Sequence, residues 1–124
     1  MLRVLIVEDN RIFREAFRKD FCDRFPSMAV EEAANGDEAL QKSGAVLPHL
    51  IFMGIRLPGI NGLQLTKKLK KDFPSINIAI LTSYDLPEYR EAAVESGADS
   101  FFVKSSFKWD EVGALVKSIS PGVP

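Results

Sequence analysis

The sequence predicts an α/β fold: a doubly wound (βα)5 domain in which a five-stranded parallel sheet carries helices on both faces. Three observations carry this expectation. Five short apolar runs recur at residues 2–7, 29–33, 50–53, 76–81 and 100–103, each of strand length. The segments between them place apolar residues at helical spacing, and proline or glycine stands where helical stretches should stop. Strand and helix alternating in this way make a parallel sheet with right-handed crossovers.

Taken in order, the runs at 2–7, 50–53 and 76–81 are almost continuously apolar, as strands buried on both faces must be. The run at 29–33 contains Glu31 and Glu32, so the second strand is expected at an edge of the sheet. The first helix should face the core with Ile12, Ala16, Phe17 and Phe21, and the third with Leu63, Leu65, Leu69 and Phe73. Pro26, Pro48 and Pro74 end helical stretches, Pro87 opens one, and Gly97 supplies a left-handed cap. The last helix repeats Trp109, Val112, Leu115, Val116 and Ile119. Residues 1–120 are therefore expected to form one domain, with Pro121-Gly122-Val123-Pro124 starting a linker or tail.

A chain of 124 residues suits one core, and 46% hydrophobic with 27% charged residues is the balance of a globular protein. With 16 basic and 17 acidic side chains the net charge is −1, so no positive field recruits nucleic acid or an anionic membrane. The expectation is no direct nucleic-acid binding by this domain and no membrane association. No apolar run approaches a membrane span and no signal peptide is legible, so a cytoplasmic address is expected. Cys22 is the single cysteine; its helical setting predicts a small buried hydrophobe.

In a doubly wound sheet, sites form at the carboxyl ends of the strands. The residues there are Glu8-Asp9-Asn10, Gly54-Ile55-Arg56, Thr82-Ser83 and Lys104-Ser105. Any one of them alone is a polar residue emerging into water. Together they bring two carboxylates, a glycine, hydroxyls and an ammonium to one rim, an oxygen-rich cluster suited to Mg²⁺ beside groups that hold an anion.

Several stretches carry a family resemblance that covers essentially the whole chain. Val4-Leu5-Ile6-Val7-Glu8-Asp9-Asn10, the segment Pro48-His49-Leu50-Ile51-Phe52-Met53-Gly54-Ile55-Arg56-Leu57-Pro58-Gly59-Ile60-Asn61-Gly62, Ile80-Leu81-Thr82-Ser83 and Gly97-Ala98-Asp99-Ser100-Phe101-Phe102-Val103-Lys104 resemble the receiver domain of two-component response regulators, the CheY-like superfamily. The resemblance implies a flavodoxin-like sheet of strand order 2-1-3-4-5. It implies Glu8, Asp9 and the backbone carbonyl of Arg56 as metal ligands, Lys104 as the phosphate-facing cation, and Thr82 with Ser83 as the switch hydroxyl region. Phe101 is implied as the aromatic that packs inward on activation. A sensor histidine kinase is the implied partner in a phosphorelay. Lys104-Ser105-Ser106 resembles receivers that precede a helix-turn-helix output domain.

The chain departs from the family where it matters most. The family's phospho-accepting aspartate stands where this sequence has Gly54, and glycine is neither nucleophile nor carboxylate ligand. The usual aspartyl phosphate is excluded at this position; Thr82 and Ser83 are weak nucleophiles without a base, and Asp85 lies beyond the fourth strand. Mg²⁺ binding is expected to be weak, and Lys104 is expected to lean toward Asp9.

The expected function is thus a non-enzymatic pseudo-receiver or substituted form that signals by protein–protein contact. Two surfaces offer themselves for a homodimer, residues 87–119 or the first and fifth helices. Glu88, Arg90, Glu91 and Glu95, with Lys108, Asp110, Glu111 and Lys117, could pair across the former. The alternative is a phosphorylation-competent receiver in an unsubstituted form, regulating a DNA-binding output domain. A nucleotide- or flavin-binding reading fails, because Glu8 and Asp9 repel phosphate and no glycine-rich phosphate loop follows the first strand.

Overall fold

The computed structural model describes residues 2–119, so the expected tail at 121–124 lies outside the described residues. Five strands and five helices alternate: β1 Arg3–Val7, α1 Arg11–Arg24, β2 Ala29–Ala33, α2 Gly36–Val46, β3 Leu50–Met53, α3 Gly62–Asp72, β4 Asn77–Thr82, α4 Pro87–Glu95, β5 Ser100–Val103 and α5 Trp109–Ile119. All strand pairs are parallel, as strand–helix alternation predicts, and the order is β2-β1-β3-β4-β5, as the family resemblance implies. The fourth strand begins one residue later than its apolar run. Ile76 is buried but donates its amide to Phe73 in a turn, whereas the carbonyl of Thr82 accepts from the Lys104 amide and extends the ladder.

Successive residues of each strand point to opposite faces, and this splits the core into two layers. Leu5, Val7, Ile51, Met53, Ile78 and Ile80 pack under Ala39, Leu65, Leu69 and Ala93 of α2, α3 and α4. Val4, Ile6, Leu50, Phe52, Ala79 and Leu81 pack under Phe17 and Phe21 of α1 and Val112 and Val116 of α5. Phe17 is the hub of the second layer, with ring centroids 5.0 Å from Phe52 and 5.3 Å from Trp109. Burying each such ring stabilises the fold by roughly 2 kcal/mol.

The face of α1 differs from expectation. Ile12 is 81% exposed and Ala16 is also exposed. Phe17 and Phe21 face the sheet as expected, and Phe13 takes the place of Ile12 and Ala16, the three rings stacking at 5.8 and 6.3 Å. These residues recur every fourth position, and three rings cover more sheet than the aliphatic stripe one position earlier, so bulk sets the rotation of the helix. Cys22 follows this turn of the helix and is half-buried rather than part of the core.

Helix starts are fixed by asparagines. Asn10, Asn35 and Asn61 accept the amides of Phe13, Glu38 and Gln64, and Gln64 completes a capping box. Each cap is worth about 1 kcal/mol. α4 opens on Pro87 without a side-chain cap, and Gly97 follows it at φ +93°, a conformation that favours glycine. The edge strand β2 is held by charge: Glu32 receives Arg14 at 2.8 Å and Arg18 at 3.1 Å, and Arg14 also donates to the Glu8 carbonyl at 2.7 Å.

At the amino-terminal ends of the strands, the Arg3 guanidinium donates to the carbonyls of Val46 and Leu47 where α2 ends, and Nδ1 of His49 accepts the Arg3 amide at 2.9 Å. Burial first, and then the Arg3 charge, lower the pKa of His49 below its ordinary 6.5. The folded state therefore binds this proton less readily than the unfolded chain. The contribution of His49 is present above its ordinary value and is lost as pH falls below it. The urea midpoint is expected to fall between about pH 7.5 and 5.5, and to fall less in His49→Asn, which keeps an acceptor but does not titrate.

Candidate functional site

Register delivers the site. Val7 pairs with Met53, Met53 with Ile80, and Thr82 with Val103, so Glu8, Gly54, Thr82 and Lys104 leave the sheet side by side. Three of them, Glu8, Thr82 and Lys104, line a cavity of about 170 Å³ together with Asp9, Arg56 and Ser83. A larger depression of about 710 Å³ lies at the far end of α1, walled by Phe25, Met28, Trp109 and Val116. Its charged groups, Arg24, Asp110 and Lys117, come with no side-chain hydroxyl and lie away from the carboxyl ends of the strands, so the smaller cavity is the candidate site.

The central contact is an ion pair. Lys104 Nζ lies 2.7 Å from Glu8 Oε1, with side-chain exposures of only 19% and 8%. This corrects the expectation that Lys104 leans toward Asp9, whose side chain is exposed. The reason is room and reach. A Cβ built at Gly54 would meet Glu8 Oε1 at 3.0 Å and the Val7 carbonyl at 3.2 Å, so the Glu8 carboxylate lies against the place where a side chain at 54 would begin. Asp9, one residue on at the bend that follows β1, borders the same cavity but is exposed, and it forms no ion pair with Lys104 among the described residues. The second oxygen of Glu8, Oε2, accepts the Asn10 amide at 2.9 Å, and the ammonium of Lys104 lies 4.2 Å from the centre of the Phe13 ring. One carboxylate and one aromatic face thus hold the lysine.

The remaining residues frame the mouth. Thr82 is buried, and its hydroxyl accepts the Tyr84 amide at 3.1 Å. The guanidinium of Arg56 stacks 4.8 Å over the Tyr84 ring, which lies 5.3 Å from Tyr89. Ser83 is exposed at the rim. Phe101 is not brought to the cavity: it packs on the α3–α4 side of the core, with Arg90 4.7 Å above its ring. Arg90 also pairs with Asp85 at 2.9 Å, so it is engaged within its own chain.

The cavity tests the implied metal directly. Both oxygens of Glu8 are committed, to Lys104 and to the Asn10 amide. Gly54 contributes no donor side chain, and among the described residues no three His, Cys, Asp or Glu side chains converge. Mg²⁺ relies on carboxylates arranged around an octahedron, and this donor set does not fit it. Phe13 and Tyr84 went unnoticed as site residues in the sequence. Their signals were the four-residue aromatic spacing of α1 and an aromatic two residues beyond Thr82.

A doubly wound sheet with an acidic pair, a hydroxyl and a lysine at its carboxyl edge defines a class of α/β signalling domains. The chain belongs to one family of that class, the response regulator receiver domain, whose family model matches residues 4–117. Among its relatives, the uncharacterized transcriptional regulatory protein YhcZ of Bacillus subtilis is 32% identical over 105 residues, covering 85% of this chain and 49% of the relative. The response regulator protein VraR of Staphylococcus aureus is 31% identical over 119 residues, covering 94% and 56%. The chain spans about half the length of the curated relatives it matches. Among solved structures, Thermotoga maritima TrrA in complex with Mg²⁺-BeF aligns at TM-score 0.83 and 32% identity, covering 96% of this chain and 99% of that one. A LuxR-family response regulator from Aurantimonas aligns at TM-score 0.85 and 29% identity, covering 95% and 84%.

Gly62 shows how closely the site is packed. A Cβ there would lie 1.7 Å from the Gly54 carbonyl oxygen, while the Gly62 amide donates to Ile55 at 2.7 Å. Gly62→Ala is expected to destabilise the fold by about 2 kcal/mol or more, read as a lower urea midpoint.

Proposed function

We propose that this chain acts as a pseudo-receiver: a non-enzymatic, cytoplasmic signalling domain that keeps the receiver fold and its contact surfaces but forms no aspartyl phosphate at position 54. The observation that carries this reading is the pairing of Gly54 with the closed Glu8–Lys104 contact. The nucleophile is absent, and the cation that would face a phosphoryl group is already neutralised. Glu8, Asp9, Arg56, Thr82, Ser83, Phe101 and Lys104 are then remnants of a phosphorylation site. Its partners are a sensor histidine kinase or other signalling proteins, and the donor set around Glu8 offers Mg²⁺ no tight site. Self-association through α1 and α5 draws support from the depression beside Phe25 and Trp109. The surface at 87–119 draws less, since Arg90 is satisfied internally. Among the described residues no helix is long and apolar enough to cross a membrane.

A second reading has one supporting observation. YhcZ is named a transcriptional regulatory protein, and the similar Aurantimonas structure is a LuxR-family response regulator. On this reading residues 1–120 are the receiver unit of a regulator with a DNA-binding output domain, phosphorylation-competent where aspartate stands at 54.

Acetyl phosphate or phosphoramidate with Mg²⁺, followed by intact-mass spectrometry, distinguishes the two. The native chain is expected to gain no phosphoryl adduct, and Gly54→Asp to gain an acid- and base-labile one if the second reading holds. A stoichiometric adduct on the native chain would overturn the pseudo-receiver.

A further inference from the structure

The pocket contains a cation of its own. Lys104 Nζ sits 2.7 Å from Glu8 Oε1 and 4.2 Å from the centre of the Phe13 ring. The other Glu8 oxygen is anchored by the Asn10 amide, and the space beside Gly54 is where Oε1 rests. We propose that Lys104 is the resident cation of this pocket, with Glu8 as its built-in counter-ion, a lock that the missing side chain at 54 makes room for and that renders the pocket independent of divalent metal. Glu8 is the positioning residue of this lock, and its carboxylate serves either Lys104 or a metal, not both.

Two consequences follow from charge balance. With the ammonium removed, Glu8 and Asp9 face one cavity without a counter-ion, and a divalent cation becomes their only strong partner. With a carboxylate placed at 54, the Cβ approach of 3.0 Å to Glu8 Oε1 requires the Glu8 carboxylate to give by a few tenths of an ångström and puts two acids in competition for Lys104. The inference rests on the pseudo-receiver reading for its biological meaning. The phosphoryl-donor assay probes the nucleophile and the measurement below probes the cation, so either can fail alone.

The full chain and its Lys104→Met and Glu8→Gln variants are titrated with Mg²⁺, and the Asp9 and Asn10 amides are followed by NMR. The native chain is expected to show no saturation into the millimolar range. Lys104→Met is expected to bind at least about tenfold tighter than native, a gain of about 1.4 kcal/mol, and Glu8→Gln to bind no tighter. Submillimolar binding by the native chain, or no gain in Lys104→Met, overturns the proposal. Should that variant fail to fold, the side-chain ammonium signals of the native protein decide. Proton exchange at Lys104 is expected to be slower than at the exposed Lys67 and Lys68; equal rates overturn the lock.

Discussion

A parallel sheet must be covered on both faces, because its crossovers put helices on each side and leave no strand face for water. In this chain that constraint sends alternate residues of β1, β3 and β4 into two separate core layers. In these three strands polar groups are then tolerated only at the ends. The carboxyl ends gather Glu8, Gly54, Thr82 and Lys104 by register alone, and the opposite ends gather Arg3 and His49. The candidate site is therefore a by-product of how the sheet is buried before it is a device for chemistry.

Within the site, close packing and charge reinforce each other. Gly62 lets α3 begin directly on the Gly54 carbonyl, and Gly54 lets the Glu8 carboxylate approach the end of β3. Arg14 ties the Glu8 carbonyl to Glu32 on β2, while Asn10 both caps α1 and offers its amide to Glu8. Breaking a buried ion pair by removing one partner costs more than the pair contributes, because the survivor is left uncompensated. Since Lys104 is 19% exposed, that cost is moderated here by water.

The strands were legible because short strand-length runs stand between helical stretches: β2, β3 and β5 coincide with their runs, the fully buried β3 is continuously apolar, and the more polar run at Ala29–Ala33 is an edge strand. The rotation of α1 was not, since Ile12 with Ala16 and Phe13 with Phe21 offer rival stripes one position apart, and only packing on Phe52 and Trp109 chooses between them. Gly54 marked the site in the sequence, but the partner of Lys104 did not. That choice between Glu8 and Asp9 depends on side-chain length and on the space a glycine leaves, neither of which spacing along the chain encodes.

The account turns on whether Glu8 and Lys104 act as one unit. The most direct measurement is a double-mutant cycle in urea with Glu8→Gln, Lys104→Met and the combined variant. A coupling of about 1 kcal/mol or more is predicted for groups in direct contact. Single losses that add to within about 0.3 kcal/mol would contradict it, and with it the picture of a pocket closed by its own charges.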